Sequence, residues 1–186
     1  IDMCAGAGGK TLALAAMMQG KGRLIATDHD KRQLAPIHER LSRAGIHNAD
    51  VRTPRGPDDT LSDIKASADL VVIDAPCTGT GTWRRNPDAK WRMRPGALEV
   101  RIKDQLEVLD RAAGLVKPGG RITYITCSVL PQENTEQVKA FTARHPDYAV
   151  VSPEQVISVL WDKADDFAAA TIQSDEGLLI DRKSVV

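Results

Sequence analysis

Short apolar runs alternate with longer amphipathic stretches along most of the chain, the signature of an α/β fold built around a mostly parallel sheet. Ile1-Asp2 reads as the end of a strand, and a glycine-rich turn follows from Met3 to Gly9. Lys10 to Gln19, rich in Leu and Ala, predicts a helix. Arg23 to Thr27 predicts a second strand, closed by Asp28. Asp30 to Arg43 is helical in pattern, with Gly45 as a stop signal and Pro36 set to kink it or mark its first turn.

Ala49 to Thr53 is a weak third strand, followed by a Gly/Pro/Asp loop over Arg55 to Asp59. Asp69 to Asp74 (DLVVID) predicts a strong buried strand. Ala75 to Gly96 has little periodicity and reads as a functional loop. Ala97 to Val116 is a long amphipathic helix, Lys117 to Gly120 a turn, and Arg121 to Thr126 (RITYIT) the next central strand. Pro131 to His145 predicts a helix closed by Pro146. Tyr148 to Val151 and Gly177 to Ile180 are candidate strands, the latter at an edge.

Composition sets limits more than direction. The 186 residues suffice for one domain with a full core, and no repeat or linker divides residues 1–186. The start inside a strand points to a fragment whose N-terminal part is absent. No apolar run approaches the roughly 20 residues of a membrane span, and no signal peptide is visible. Three widely spaced cysteines make a poor disulfide framework and fit reduced thiols in a cytoplasmic protein. Scattered histidines and the lack of a Cys-x-x-Cys pair predict no metal site. Formal net charge is zero. Locally, Arg84, Arg85, Lys90, Arg92, Arg94, Arg101 and Lys103 lie among only Asp88 and Glu99, beside Trp83 and Trp91.

Candidate chemistry gathers where strands end. The first turn runs Asp2-Met3-Cys4-Ala5-Gly6-Ala7-Gly8-Gly9-Lys10-Thr11. Its small residues admit a ligand to the backbone, and the next helix offers free N–H groups to an anion. It is neither common nucleotide loop. A phosphate loop needs Gly where Cys4 stands, and Gly-x-Gly-x-x-Gly from Gly6 and Gly8 meets Thr11. Asp28, about 20 residues on, suits ribose hydroxyls in such folds. It could equally cap the following helix, a role for which Asp30 competes. Strands four and five end in Asp74-Ala75-Pro76-Cys77 and Thr126-Cys127-Ser128. Were they neighbours, about 4.8 Å apart, both thiols would open on one cleft. A single cysteine is more often core packing. Two at equivalent strand ends, each followed by a break in regular structure, point to a site.

Asp2–Thr11, Asp74–Cys77, Thr78-Gly79-Thr80-Gly81, Arg85-Asn86-Pro87-Asp88, Trp91 and Thr126–Asn134 (TCSVLPQEN) together resemble the RsmB/Nop/Sun family of RNA cytosine-C5 methyltransferases. The resemblance runs over nearly the whole chain. It implies an α/β, Rossmann-like S-adenosylmethionine-dependent methyltransferase fold, with a mostly parallel central sheet and helices on both faces. It implies Cys127 as the nucleophile that adds to carbon 6 of cytosine, Cys77 as an aid to product release, and Asp74 as the carboxylate between cofactor and base. A protonated Asp74 would hydrogen-bond ring nitrogen 3. Cys4, Ala5, Gly6, Ala7, Gly8, Gly9, Lys10, Asp28 and Asp74 would line the S-adenosylmethionine site, with Lys10 reaching cofactor or base.

Three departures stand out. The family usually has an acid facing the adenine after the third strand; here Thr53-Pro54-Arg55-Gly56 follows, with Asp58 and Asp59 the nearest acids. Ala7 stands where the family often has Pro. The usual aromatic-rich final strand is not recognisable.

The resemblance further implies an RNA partner, ribosomal RNA first and transfer RNA second, with the target cytosine single-stranded or flipped out. No membrane or metal enters, and a monomer is expected. The Arg84–Lys103 stretch is the candidate for phosphate contacts, with Trp83 or Trp91 to stack on a base. The competing reading there is a solvated charged loop with core tryptophans. For the whole chain two others stay open: a DNA cytosine methyltransferase using Cys77 as nucleophile, and a non-catalytic cofactor- or RNA-binding module.

Overall fold

A computed structural model describes residues 1–54, 60–159 and 163–180 of the chain. Arg55, Gly56, Asp58 and Asp59, the sequence candidates around the adenine position, lie outside the described residues. The described residues group into two compact units. One takes those of Ile1–Cys77 and Lys103–Thr126; the other takes those of Thr78–Ile102 and Cys127–Val186.

The first unit is built on a parallel sheet. Strand β1 (Leu24–Thr27) pairs with β2 (Ala49–Arg52), from Leu24↔Ala49 to Thr27↔Arg52. Strand β3 (Ala68–Asp74) pairs with β4 (Val116–Ile125), ending at Asp74↔Ile125. The Ile1–Met3 segment joins the two halves, because Asp2 bridges both Ala26 and Val72 in parallel. Asp2 N donates to Ile25 O at 2.8 Å and Thr27 N donates to Asp2 O at 2.9 Å. On the other side Met3 N donates to Val72 O at 2.9 Å and Val72 N donates to Ile1 O at 2.7 Å. The spatial order is therefore β2, β1, the Ile1–Met3 segment, β3, β4. Strand order reverses around Ile1–Met3, the place where open α/β sheets take ligands.

Uninterrupted apolar runs fit this arrangement, since parallel strands are covered on both faces. Leu24, Ile25 and Ala26 of β1 and Val71, Val72 and Ile73 of β3 are all buried. Helix α1 (Gly9–Met18) leaves the glycine turn. The predicted kink at Pro36 splits the next helix into α2 (Lys31–Leu34) and α3 (Ile37–Arg43). Asp30 caps α2, its side chain accepting from Arg32 N at 2.8 Å. Leu34, Ile37 and Leu41 pack into a core cluster with Ala5 and Ala26.

Two expectations change around β4. The predicted central strand Arg121–Thr126 is the last strand of the described sheet, with β3 as its neighbour in the strand order, and Arg121 and Thr123 are exposed. The predicted Lys117–Gly120 turn is instead an outward bulge of β4. It lies between the pairs Ala68↔Val116 and Leu70↔Arg121, where β3 has only Asp69. The long helix, α5 (Ala97–Ala113), stops short of the expected Val116 because Val116 already pairs with β3.

In the second unit the part of the expected Ala75–Gly96 loop from Thr78 onward carries helix α4 (Ala89–Arg92) after a 3₁₀ turn at Thr80–Thr82. The helix expected from Pro131 is a 3₁₀ turn, Pro131–Glu133, followed by α6 (Thr135–Arg144). Asn134, at φ −122° and ψ −98°, breaks the two apart. Tyr148 to Val151 is not a strand. Val150 and Val151 are exposed, and no described strand pairs with the segment. Ser152 then opens helix α7 (Pro153–Ser158) with a reciprocal capping box to Gln155. Helix α8 (Ala164–Ala169) and an antiparallel hairpin of β5 (Thr171–Ser174) and β6 (Gly177–Ile180) complete the unit. The Gly177–Ile180 strand was expected; its partner β5, short and mixed in polarity, was not. Among the described residues no helix is long and apolar enough to cross a membrane.

Ile73, the penultimate residue of β3, is fully buried. Ile73→Ala is expected to lower stability by about 2–5 kcal/mol, read as a lower urea midpoint at unchanged m-value.

Candidate active site

The glycine turn is held to the sheet by backbone and by one buried carboxylate. Ala5 N donates to Thr27 O at 3.0 Å and Gly8 N to Ala5 O at 2.8 Å. Gly6 N donates to Asp28 Oδ2 and Asp30 N donates to Asp28 Oδ1, each at 2.9 Å. Capping of α2 falls to Asp30, so Asp28 is free of that role and instead ties the turn to the end of β1. A carboxylate has about four acceptor sites, so capacity remains for further donors. Gly8 lies at φ 83°, and a Cβ there would stand 2.4 Å from Ile37 Cγ1. Only glycine fits both demands. Arg40 donates to Ala7 O at 2.7 Å on the outer side.

Electrostatics of the turn have two poles. No side chain caps the N-terminus of α1, which leaves its first N–H groups for an anion. Around Cys4 the field is negative. Its half-buried thiol is pushed up to about 12, first by burial and then by the carboxylates of Asp28, Asp2 and Asp74. Asp2 is fully buried. Its Oδ2 accepts from Thr11 Oγ1 at 2.7 Å, while Oδ1 has no hydrogen-bond partner among the described residues. Burial raises the Asp2 carboxyl above its usual range, with the Thr11 bond opposing. An anion-accepting helix end beside a carboxylate-rich wall suits a nucleoside ligand that carries both a carboxylate and a positive charge.

Asp74, the last residue of β3, accepts from Lys10 Nζ at 2.5 Å. The sequence candidates Lys10 and Asp74 are thus in contact. Beyond Asp74 the chain is pinned twice before it reaches the half-buried Cys77. Ala75 N donates to Ile125 O at 2.9 Å, and Gln105 Nε2 donates to Pro76 O at 2.9 Å. Strands β3 and β4 are neighbours, as the expectation for the two cysteines required.

Cys127 belongs to the second unit and is exposed. Its carbonyl accepts from Gly81 N at 2.9 Å. Thr80 Oγ1 shares a hydrogen bond with Ser128 Oγ at 2.9 Å and accepts from Val129 N at 3.0 Å. Asn134 Nδ2 donates to Ser128 O and Leu130 O, each at 3.0 Å. The fully buried Glu133 accepts from Thr78 N at 2.8 Å and also from the Thr78 hydroxyl. Sequence reasoning gave none of Thr80, Glu133 or Asn134 a role of its own. Glu133 and Thr78 stand 55 residues apart, and a lone acid after Pro131 carries no local signal.

In the basic stretch Trp91 is 81% exposed. Lys90 Nζ lies 4.7 Å from its ring centroid. Arg84, Arg85 and Arg94 are exposed, and Arg92 pairs with Asp88 at 2.6 Å. Trp91 is therefore not a core residue; Trp83 is half-buried.

Residues 1–165 match the family model described as 16S rRNA methyltransferase RsmB/F. The chain is 40% identical over 152 residues to ribosomal RNA small subunit methyltransferase B of Pectobacterium atrosepticum, covering 81% of this chain and 35% of that relative. To the protein of that name from Klebsiella pneumoniae it is 37% identical, over 79% of this chain and 34% of the relative. The chain thus spans about a third of the length of the curated relatives it matches. Among solved structures it resembles NSun6 from Pyrococcus horikoshii with SFG, at TM-score 0.66 and 30% identity over 77% of this chain and 36% of that one. A SAM-dependent methyltransferase from Aquifex aeolicus shares the fold at TM-score 0.51 and 17% identity, over 77% of this chain and 68% of that one.

Two outcomes test this geometry. Asp28→Asn sets an amide NH₂ against one of two backbone donors; it is expected to cost about 1–3 kcal/mol and to speed hydrogen exchange at Gly6. The Cys4 thiol, raised from an ordinary 9.0 to about 12, stabilises the fold fully below 9.0, and this contribution is lost as pH rises toward 12. Urea unfolding in that alkaline window should therefore show a steeper loss for wild type than for Cys4→Ala.

Proposed function

The chain belongs to the 16S rRNA methyltransferase RsmB/F family, and from that premise we propose that it is the catalytic part of an S-adenosylmethionine-dependent RNA methyltransferase acting on carbon 5 of cytosine, in ribosomal RNA. The observation that carries this reading is Cys127. Its thiol is exposed, its backbone is fixed by hydrogen bonds on the Thr80–Gly81 turn, and it lies two residues beyond the strand partner of Asp74.

The glycine turn supplies the cofactor side. Gly6, Gly8 and Gly9 keep side chains out of the way, and the open N-terminus of α1 takes the amino-acid carboxylate. Ala5, Ala7 and Lys10 line the approach. Asp28 accepts from ribose hydroxyls with its remaining lone pairs. Cys4, kept as an uncharged thiol, lines the same wall without competing as a nucleophile. When bound, S-adenosylmethionine supplies a methyl group on a cationic sulfur, ready for transfer to a carbon nucleophile.

The residues of the chain make that carbon nucleophilic. The Cys127 thiolate adds to carbon 6 of cytosine, forming a sulfur–carbon bond and moving the double-bond electrons onto carbon 5. Asp74, held in place by Lys10, donates a hydrogen bond to ring nitrogen 3 once it carries a proton, and so offsets the charge of the adduct. After methylation a base takes the proton from carbon 5, the carbon–sulfur bond breaks, and Cys127 leaves as thiolate. Cys77 assists that release. The sequence as written uses no metal ion, and free thiols suit the cytoplasm. A monomer suffices.

Carbon 6 is out of reach inside a stacked duplex, so the cytosine is single-stranded or flipped out. The exposed Trp91, with Lys90 over its ring and Arg84, Arg85 and Arg94 nearby in sequence, offers a stacking face among phosphate-binding charges.

With RNA containing 5-fluorocytosine, wild-type protein and S-adenosylmethionine are expected to give a covalent complex stable to denaturing gels. Cys127→Ala is expected to give none and to lose methyl transfer, whereas Cys77→Ala is expected to retain adducts on unmodified RNA. Adducts through residue 77, or turnover on DNA alone, would support the DNA-enzyme alternative. No adduct and no transfer from wild type would support a binding module.

A further inference from the structure

We infer that Thr80 and Gly81 are positioning residues for the Cys127 thiol, an assignment that rests on Cys127 being the nucleophile. Where a cysteine sulfur stands depends on the backbone that carries it. That backbone is gripped by the Thr80–Gly81 turn at successive peptides. Gly81 N holds the Cys127 carbonyl at 2.9 Å. The Thr80 hydroxyl receives Val129 N at 3.0 Å and shares a hydrogen with Ser128 Oγ at 2.9 Å. Ser128 Oγ in turn accepts from Leu130 N at 3.1 Å. One threonine hydroxyl therefore closes a hydrogen-bonded path that fixes the peptides after the nucleophile.

The turn is itself rigid. Thr82 N and Thr82 Oγ1 both donate to Gly79 O, at 2.9 and 2.8 Å. Upstream, Thr78 is fastened to the buried Glu133. The approach is too close for any side chain at position 81, where a Cβ would lie 2.8 Å from Cys127 O and 3.4 Å from Val129 Cγ1. At Gly79 a Cβ would lie 3.8 Å from Cys127 Sγ, so only hydrogens of that glycine stand beside the sulfur. The turn thus holds the nucleophile from behind its backbone and keeps side chains from covering it. No group of Thr80 or Gly81 needs to touch the substrate for this.

Displacing a reacting group by about 1 Å costs on the order of 100-fold in rate. Thr80→Ala and Thr80→Ser are compared with wild type in three measurements: single-turnover adduct formation with 5-fluorocytosine RNA, RNA affinity by anisotropy, and alkylation of Cys127 by iodoacetamide. Thr80→Ala should slow adduct formation by about 100-fold, with RNA affinity and alkylation within about twofold of wild type; Thr80→Ser should recover most of the rate. Ser128→Ala, which removes one bond of the same path, should show a smaller loss of the same kind and serves if Thr80→Ala does not fold. Wild-type rates in Thr80→Ala, no recovery in Thr80→Ser, or a loss that follows RNA affinity would overturn the assignment. Absence of an adduct from the wild type itself would instead overturn the reading of Cys127 on which it rests.

Discussion

A buried carboxylate at the end of β1 is the constraint on which the cofactor half depends. Asp28 takes the N–H of Gly6 on one oxygen and that of Asp30 on the other. The first bond fixes the turn; the second fixes the start of α2, whose cap is Asp30. Asp28 is buried, where unpaired polar groups cost about 1–3 kcal/mol each, so both donors and acceptor are committed to this arrangement. The glycine turn is thereby tied to the end of β1. Ile37 beneath Gly8 constrains it from the core side. A loop made almost entirely of small residues would otherwise carry a large entropy of ordering on meeting a ligand.

The cysteines show how environment divides one side chain into different chemistries. Cys4 sits among Asp2, Asp28 and Asp74 in a partly desolvated turn, and its thiol holds its proton to about 12. Nucleophilic attack needs a thiolate, so Cys4 is inert at neutral pH. Cys127 is exposed, and its carbonyl accepts from Gly81 N at 2.9 Å. The proposed division of labour, cofactor wall for one and nucleophile for the other, matches the burial of Cys4 and the exposure of Cys127.

Much of the fold was legible because parallel strands and their helices leave strong periodic marks. Pro36 as break and the DLVVID strand could be read from local chemistry alone, whereas the cap of α2 was open between Asp28 and Asp30 until the structure gave it to Asp30. The strand order around Ile1–Met3 could not, since a strand represented by one bridging residue has no pattern of its own. The expected strand at Tyr148–Val151 has an apolar pattern but no strand paired with it among the described residues, and pairing is what makes a strand. At the site, residue types carried the cofactor turn and the two cysteines. They did not reveal Thr80, Glu133 or Asn134, whose work is hydrogen bonding across long sequence separations. Trp91 shows the converse, as its exposure was open in the sequence and only the structure places it in solvent.

Lys10 and Asp74 complete the physical picture. Their side chains are 39% and 40% exposed, and ion pairs so open to solvent stabilise a fold by about 0–1 kcal/mol. Stability therefore does not explain why a lysine in the first turn of α1 reaches a carboxylate at the end of β3. What the pair does is set an ammonium from the first turn of α1 against a carboxylate at the end of β3, with a proton of the ammonium between them. In the proposed reaction the cytosine ring gains electron density when sulfur adds to it, and a proton or a strong hydrogen bond must meet that charge at nitrogen 3. A carboxylate has no proton to donate, so Asp74 can serve nitrogen 3 only after taking one up, and the Lys10 ammonium hydrogen-bonded to it is the donor at hand. Placed there, an ion pair that contributes little to folding gives the proposed reaction a proton donor and the carboxylate that would carry its proton side by side.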